Sequence, residues 1–412
     1  MTTSQAATFS STRSWRLLLL LWLAGLYLRI PVLAIAPLGG EVAQDLGLGQ
    51  SGTGALTTLP ILMLGLGAIP AAKLVRTGGA RTALVAGIVV MALASALRGT
   101  APPMVWLFAA TAAMGLGIAA MQAALPVMTR EWSPASPALG STVYLNGMVV
   151  GELLGAGMTL PLHATLGEES WRLTLMLWSI PALLIAAILL IPRAQPETTS
   201  LIEAAQPMRM RWRTPALWQL GLPLASAVVV FLATNAWMES ILARRGEADL
   251  LARMMFLYNA CPLVASLLSL ISGQRLLDHP RTMPLIGAMS VLGLAGFLWL
   301  PGPLGLFAAL VSALGATFQM IVTLSLPPRL AGGATLHQLT SGMFTISYGM
   351  AFALPLAGGL VADALGYPLL ALGPILLLAL AVVPLRISTL EPQTTEPQTA
   401  EPQTTAHRRQ TK

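Results

Sequence analysis

Charge is scarce in this sequence: Asp, Glu, Lys and Arg make up 9% of the 412 residues, against 55% for Ala, Val, Ile, Leu, Met, Phe, Trp, Tyr and Cys. A chain so poor in charge cannot cover a surface that faces water, which excludes ordinary soluble enzymes and disordered regulators. Cysteine is nearly absent. The lone Cys261 rules out an internal disulfide or a multi-cysteine metal site, and its apolar neighbours make it a buried, inert thiol. Histidine is thin as well: His163 and His279 fall at the ends of apolar runs and read as solvated, and His337 is similarly peripheral. Four scattered histidines without paired carboxylates give no metal site. Neither a GxxxxGK[ST] phosphate loop nor a GxSxG nucleophile elbow is present, so direct ATP coupling and enzymatic hydrolysis are not expected and no cofactor is called for.

What the sequence has instead is long apolar runs, and its mean hydropathy is +0.74. About 20 helical residues cross roughly 30 Å of hydrocarbon. Twelve such spans are expected, at 15–38, 52–74, 82–97, 104–129, 138–162, 173–192, 217–237, 250–271, 283–300, 304–327, 336–362 and 367–385. The fold class is therefore an all-α, multi-pass membrane protein with the lipid bilayer as its partner. A net charge of +7 at first suggests nucleic acid, but topology accounts for it without one. With the N-terminus in the cytoplasm, 17 of the 23 Lys and Arg fall inside. Arg98, Arg172, Arg244, Arg245 and Arg253 fall outside, and Arg29 lies within the first span. The positive-inside rule then puts both termini in the cytoplasm, in a bacterial inner membrane. Residues 1–14 form a cytoplasmic tail with no cleavage site, so the first span is expected to be retained.

The one long polar stretch inside the chain, 193–216, carries Pro196, Glu197, Glu203, Pro207 and the basic string Arg209 to Arg213. It separates a six-span bundle at 15–192 from a second at 217–386. The halves echo one another: Arg76 and Arg81 follow span two as Arg275 and Arg281 follow span eight, and Gln319 stands in span ten as Gln122 does in span four. Such a parallel duplication places a binding site near midplane, between the halves. Beyond it, 387–412 includes three Glu-Pro-Gln-Thr repeats and reads as a disordered cytoplasmic tail.

A polar group deep in a span marks function or a compensating partner, since a charge at the helix centre costs about 2.5–3.5 kcal/mol. Two stand out, Arg29 and Glu152. Arg29 lies in Tyr27-Leu28-Arg29-Ile30-Pro31, where the proline breaks helical bonding. It reads either as a fork of donors for a small anion or as half of a structural ion pair. Glu152 is flanked by Gly151, Gly155 and Gly157, small residues that permit close helix approach. Hydrocarbon favours its neutral form and a nearby Arg29 its charged form, so it is either a proton site or a permanent counter-ion. Gln122, Asn146, Asn235, Gln319 and Tyr348 either line a cavity or bridge helices.

In their order these features resemble the Major Facilitator Superfamily, and within it the branch of cyanate and 2-nitroimidazole porters. Gly25-Leu26-Tyr27-Leu28-Arg29-Ile30-Pro31, running on to Ala36-Pro37-Leu38, is similar to that branch's arginine-proline signature. Leu56-Thr57-Thr58-Leu59-Pro60, Gly115-Leu116-Gly117, Gln122-Ala123-Ala124-Leu125-Pro126, Trp171-Arg172, Ala233-Thr234-Asn235-Ala236-Trp237 and Ser347-Tyr348-Gly349 continue the likeness. It implies twelve helices in two bundles, alternating access, and Arg29 as a substrate-site residue. Two features depart from it: Glu152 stands where a small residue is expected, and the loop from Lys73 to Arg81 lacks an acidic residue. The expected function is secondary transport of a small polar or anionic organic solute, coupled to protons as symport and working as a monomer. The alternatives are proton-antiport efflux of a drug or metabolite and, in another class, a non-transporting membrane sensor.

Overall fold

The computed structural model describes residues 3–100, 103–134, 136–166, 171–190, 212–272, 279, 281–330 and 333–384, and all regular structure among them is helical. The first half contains α1 (Thr3–Leu26), α2 (Ile30–Leu33), α3 (Gly39–Leu46), α4 (Gln50–Gly78), α5 (Ala80–Thr100), α6 (Met104–Trp132), α7 (Pro137–Gly157), α8 (Thr159–Thr165) and α9 (Trp171–Leu190). The second contains α10 (Pro215–Arg244), α11 (Leu251–Ser272), α12 (Thr282–Trp299), α13 (Gly302–Ser325), α14 (Pro327–Leu330), α15 (Gly333–Leu365) and α16 (Gly373–Val382). Most of the expected linker and all of 387–412 lie outside the described residues. The N-terminal stretch expected as a tail is the first part of α1.

Helices dominate because a span in hydrocarbon must satisfy every backbone N–H and C=O within itself. Among the described residues, ten stretches are long and apolar enough to cross a membrane: Trp15–Leu46, Gln50–Gly78, Ala80–Thr100, Met104–Trp132, Trp171–Leu190, Pro215–Arg244, Ala248–Ser269, Thr282–Trp299, Gly302–Ser325 and Gly342–Leu365. An eleventh combines Leu139–Gly157 with Thr159–Thr165 across a bend of 46°. The twelfth expected span appears as the shorter apolar segment Pro368–Val382. Between α4 and α5 a single residue, Gly79, reverses the chain at φ +83°, a conformation that any side chain would strain.

Leu66, Ile69, Val105, Leu292, Phe307 and Leu377 stand on the outside of the bundle, an apolar surface that only lipid can cover. Inside, glycine sets the helix spacing. In the first half, a Cβ on Gly87 would lie 2.7 Å from the Gly117 carbonyl oxygen, and one on Gly117 2.6 Å from the Met91 nitrogen, so α5 and α6 touch backbone to backbone. The second half repeats this in α12 and α13, where a Cβ on Gly293 would meet the Ser312 nitrogen at 2.3 Å and one on Gly315 the Ser290 nitrogen at 2.6 Å. The same seam built from spans three and four, and again from nine and ten, gives the duplication a structural form.

A third seam joins α1 to α7. A Cβ on Gly147 would lie 2.2 Å from the Trp22 carbonyl oxygen, on Gly151 2.3 Å from that of Leu26, and on Gly155 2.8 Å from that of Ile30. Gly151→Ala is therefore expected to push the two helices apart and to destabilise the protein by about 1–3 kcal/mol, the usual range for overpacking. A lower thermal midpoint of the purified protein would report it. Gly349→Ala, where no neighbour among the described residues lies within 4 Å of the added Cβ, is the control that should leave the midpoint unchanged.

The two halves meet at the end of the bundle where the first span finishes. There Gly54 packs on Trp237 and Pro355, Gly359 on Ser51, and Gly157 on Phe256. Two carboxylates bridge the halves by capping helices that cannot cap themselves. Helix α4 begins after Gly49, which has no side chain to offer, and its first amides are taken from the other half: Gln50 N–H donates to Asp363 Oδ1 at 2.5 Å and Ser51 N–H to Asp363 Oδ2 at 2.9 Å. Helix α3 follows Leu38, equally unable to cap, and its Gly40 N–H donates to Glu239 of α10. Each carboxylate thus meets the positive end of a helix across the inter-half boundary.

Candidate functional site

The first span is broken at Arg29. Proline at 31 has no N–H to return to the Tyr27 carbonyl, and α1 ends at Leu26 in a tightened turn: Leu28 N–H bonds to Gly25 O and Arg29 N–H to Leu26 O, both at 3.1 Å. Arg29 then caps α2 with φ −126° and ψ −35°, outside helical geometry. The chain turns at this residue, and its side chain leaves the helical path.

The α1–α7 glycine seam brings that side chain to Glu152. Arg29 Nε donates to Glu152 Oε1 at 3.0 Å, with the two side chains only 15% and 12% exposed. The pair thus sits within the bundle, where its attraction is weakly screened. Arg29 Nη1 is buried with no partner among the described residues, so the guanidinium keeps a further donor after the ion pair forms. A fork already holding one carboxylate and presenting another N–H can accept a second anionic or carbonyl oxygen.

The other candidates divide. Gln122 in α6 is half-buried, and its side-chain oxygen is buried with no partner among the described residues. Asn146 is exposed, and its Oδ1 accepts from Trp22 Nε1 at 2.9 Å, tying α7 to α1. Asn235 is fully buried: it donates to the Phe231 carbonyl at 3.0 Å and accepts from Asn259 Nδ2 at 2.7 Å, linking α10 to α11. Gln319 in α13 donates to the Pro223 carbonyl of α10 at 3.0 Å, while its own oxygen has no partner among the described residues. Tyr348 is half-buried in α15 beside Phe344, ring centroids 5.5 Å apart, and its Cβ lies 3.8 Å from where a Cβ on Gly65 of α4 would sit, in the other half. Arg29 and Glu152 are in direct contact, while Asn235, Gln319 and Tyr348 belong to the second half.

Several polar groups hold positions that sequence reasoning did not give them. Arg98, just past the expected end of span three, is fully buried at the end of α5. His163, expected to be solvated, is only 9% exposed, with Nε2 3.2 Å from Glu41 Oε2 and Nδ1 3.0 Å from Thr174 Oγ1. Glu239 falls just beyond the expected end of span seven, yet α10 continues through it to Arg244. Asn259 is the missed partner of Asn235; a polar residue within Tyr258-Asn259-Ala260, in the middle of an apolar run, was the available signal. Cys261 is buried as expected, its thiol directed to the Leu257 carbonyl.

Comparison with known proteins gives this geometry a context. The profile of the Major Facilitator Superfamily matches residues 17–344. The 2-nitroimidazole transporter of Escherichia coli strain K12 is 28% identical over 347 residues, 82% of this chain and 86% of that protein. The cyanate transport protein CynX of the same organism is 25% identical over 325 residues, 77% of this chain and 83% of that one. Among solved structures, a bacterial homolog of the human lysosomal transporter Spinster, inward-facing and occupied, superposes with a TM-score of 0.71 at 17% identity, covering 90% of this chain and 94% of the other. The inward-open xylose transporter XylE from E. coli gives 0.69 at 14% identity, with 90% and 96% covered. These last two likenesses concern the fold alone.

Proposed function

The chain belongs to the Major Facilitator Superfamily of membrane transporters, and on that premise we propose that it carries a small anionic or polar organic solute together with a proton, in the direction of uptake. One observation carries this reading: a largely buried Arg29–Glu152 ion pair in which the arginine keeps an N–H with no partner among the described residues. A lone cation in the span would bind an anion permanently, and a lone carboxylate would only repel one. The pair does neither. Glu152 neutralises Arg29 until a proton reaches it, and the arginine is then released to a solute anion. The names of two relatives, a 2-nitroimidazole transporter and a cyanate transport protein, fit small polar solutes.

With the N-terminus in the cytoplasm of a bacterial cell, the end closed by Glu239 and Asp363 faces outward. Alternating access then requires those inter-half caps to break as the outer end opens. Asp363→Ala removes a cap worth about 1 kcal/mol and should favour outward opening by about fivefold. Spin labels at Gln44→Cys and Leu365→Cys, in a Cys261→Ala background, would report it as a longer distance; an unchanged distribution would remove Asp363 from the gate.

The transport reading itself is tested by uptake of labelled small carboxylates, cyanate and 2-nitroimidazole into reconstituted vesicles with an imposed pH gradient. Proton-driven accumulation of any of these is the expected result. Gradient-driven exit would indicate efflux instead, and no movement of any member would leave Arg29 and Glu152 as a structural pair.

A further inference from the structure

Arg98 is the most deeply buried charged residue among those described, with none of its surface accessible. An arginine in such a place normally faces a carboxylate, because an uncompensated charge in hydrocarbon is costly. Arg98 forms no ion pair among the described residues. One nitrogen, Nη2, donates to the Pro31 carbonyl oxygen at 2.8 Å and to Ser95 Oγ at 3.2 Å, while Nε and Nη1 are buried with no partner among the described residues. Partial compensation comes from its place in the last turn of α5, where unpaired carbonyls favour a cation.

The acceptor explains why the charge is there. Pro31 lies two residues from Arg29, in the single turn of α2. The last bond of that turn runs from Ala34 N–H to the Ile30 carbonyl at 2.9 Å, so the next carbonyl, that of Pro31, has to find a partner elsewhere. Arg98 supplies it from another helix. The broken segment is thereby held from two sides: the Gly155 seam of α7 presses on the Ile30 backbone, and the α5 guanidinium grips Pro31. Fully buried, Arg98 cannot touch a solute itself.

We propose that Arg98 is a positioning residue for transport: by holding the Pro31 carbonyl it fixes the break in the first span and so the direction in which Arg29 points. The proposal rests on the reading of Arg29 as the solute anchor, and its test is chosen to separate the two. Hydrogen exchange of the purified full-length protein in detergent needs no solute. In Arg98→Met, the amides of Arg29, Val32, Leu33 and Ala34 are expected to exchange faster by about tenfold or more, the factor for losing one charge-assisted hydrogen bond, while α10 and α13 keep parental rates. Arg98→Lys, which retains a charged donor, should recover most of the protection. If Arg98→Met does not fold, Arg98→Gln, with a neutral donor, is expected to give an intermediate and still local increase. Unchanged exchange at those amides, or an equal rise throughout the first half, overturns the proposal. Arg29→Gln judges the anchor separately: it should leave exchange at Val32 to Ala34 parental while transport fails. Normal transport in Arg29→Gln would remove the anchor and leave the hold of Arg98 on the break to be decided by exchange alone.

Discussion

Glu152→Gln is expected to abolish accumulation driven by a pH gradient while leaving exchange of solute across the membrane. In the folded protein Glu152 has Arg29 as its ionic partner at 3.0 Å, in a site shielded from water. A proton arriving at the carboxyl dissolves the pair, and the arginine then needs another anion. On the proposed symport, solute and proton would move together because neither charge is stable alone in the apolar interior. With one proton per anion, a gradient of one pH unit supports about tenfold accumulation. Glutamine reproduces the protonated carboxyl, so Arg29 stays available and exchange continues, but nothing couples it to the gradient. The measurement is uptake into reconstituted vesicles at a fixed pH difference, compared with counterflow at equal pH. Undiminished gradient-driven uptake would show that the proton travels by another group and that Glu152 is structural.

Arg29→Lys is expected to cost the transporter its solute while leaving membrane insertion intact. Lysine and arginine are similarly expensive to place in a span, so insertion does not discriminate between them. Recognition does. Arg29 commits Nε to Glu152 and retains Nη1, which uses the separated donors of a planar fork. A lysine ammonium is a point charge that would collapse onto Glu152 and present no second donor in a fixed direction. Losing one charge-assisted hydrogen bond to the solute, about 1.5–3 kcal/mol, predicts a KM about tenfold to a hundredfold higher. Binding of the transported solute to purified Arg29→Lys and Arg29→Gln would check this, and near-normal affinity in both would take Arg29 out of the site.

These two predictions draw on residues that could be picked from the sequence, for a physical reason. A charge inside an apolar run is conspicuous because hydrocarbon penalises it wherever it points. Arg29 and Glu152 were therefore legible as a pair of anomalies, and the glycines around Glu152 announced the close helix contact that joins them. Asn235 and Gln319 were legible as polar groups in spans, but not as what they bond. Each bridges helices within the second half, to Asn259 and to the Pro223 carbonyl, and no spacing along the chain encodes which helix lies alongside.

Helix existence, approximate span limits and the duplicated halves followed from the sequence itself, because in a bilayer each span satisfies its own backbone and can be read locally. The side chains at the boundaries could not be read that way. Arg98 and Glu239 stand just past the expected ends of their spans, where a residue counts as loop by hydropathy; continuation of α5 and α10 draws them into the bundle. Asp363 and Glu239 gained their roles from helix ends in the other half, 313 and 199 positions distant from Gln50 and Gly40. Helix faces were equally hidden. Lipid tails are as apolar as leucine, so the surface turned to the membrane and the surface turned to a neighbouring helix carry the same residue types, and the periodicity that marks the buried face of a soluble helix is lost. Which face turns inward, and hence which polar groups meet, was decided only when the glycine seams and the inter-half caps brought the helices together.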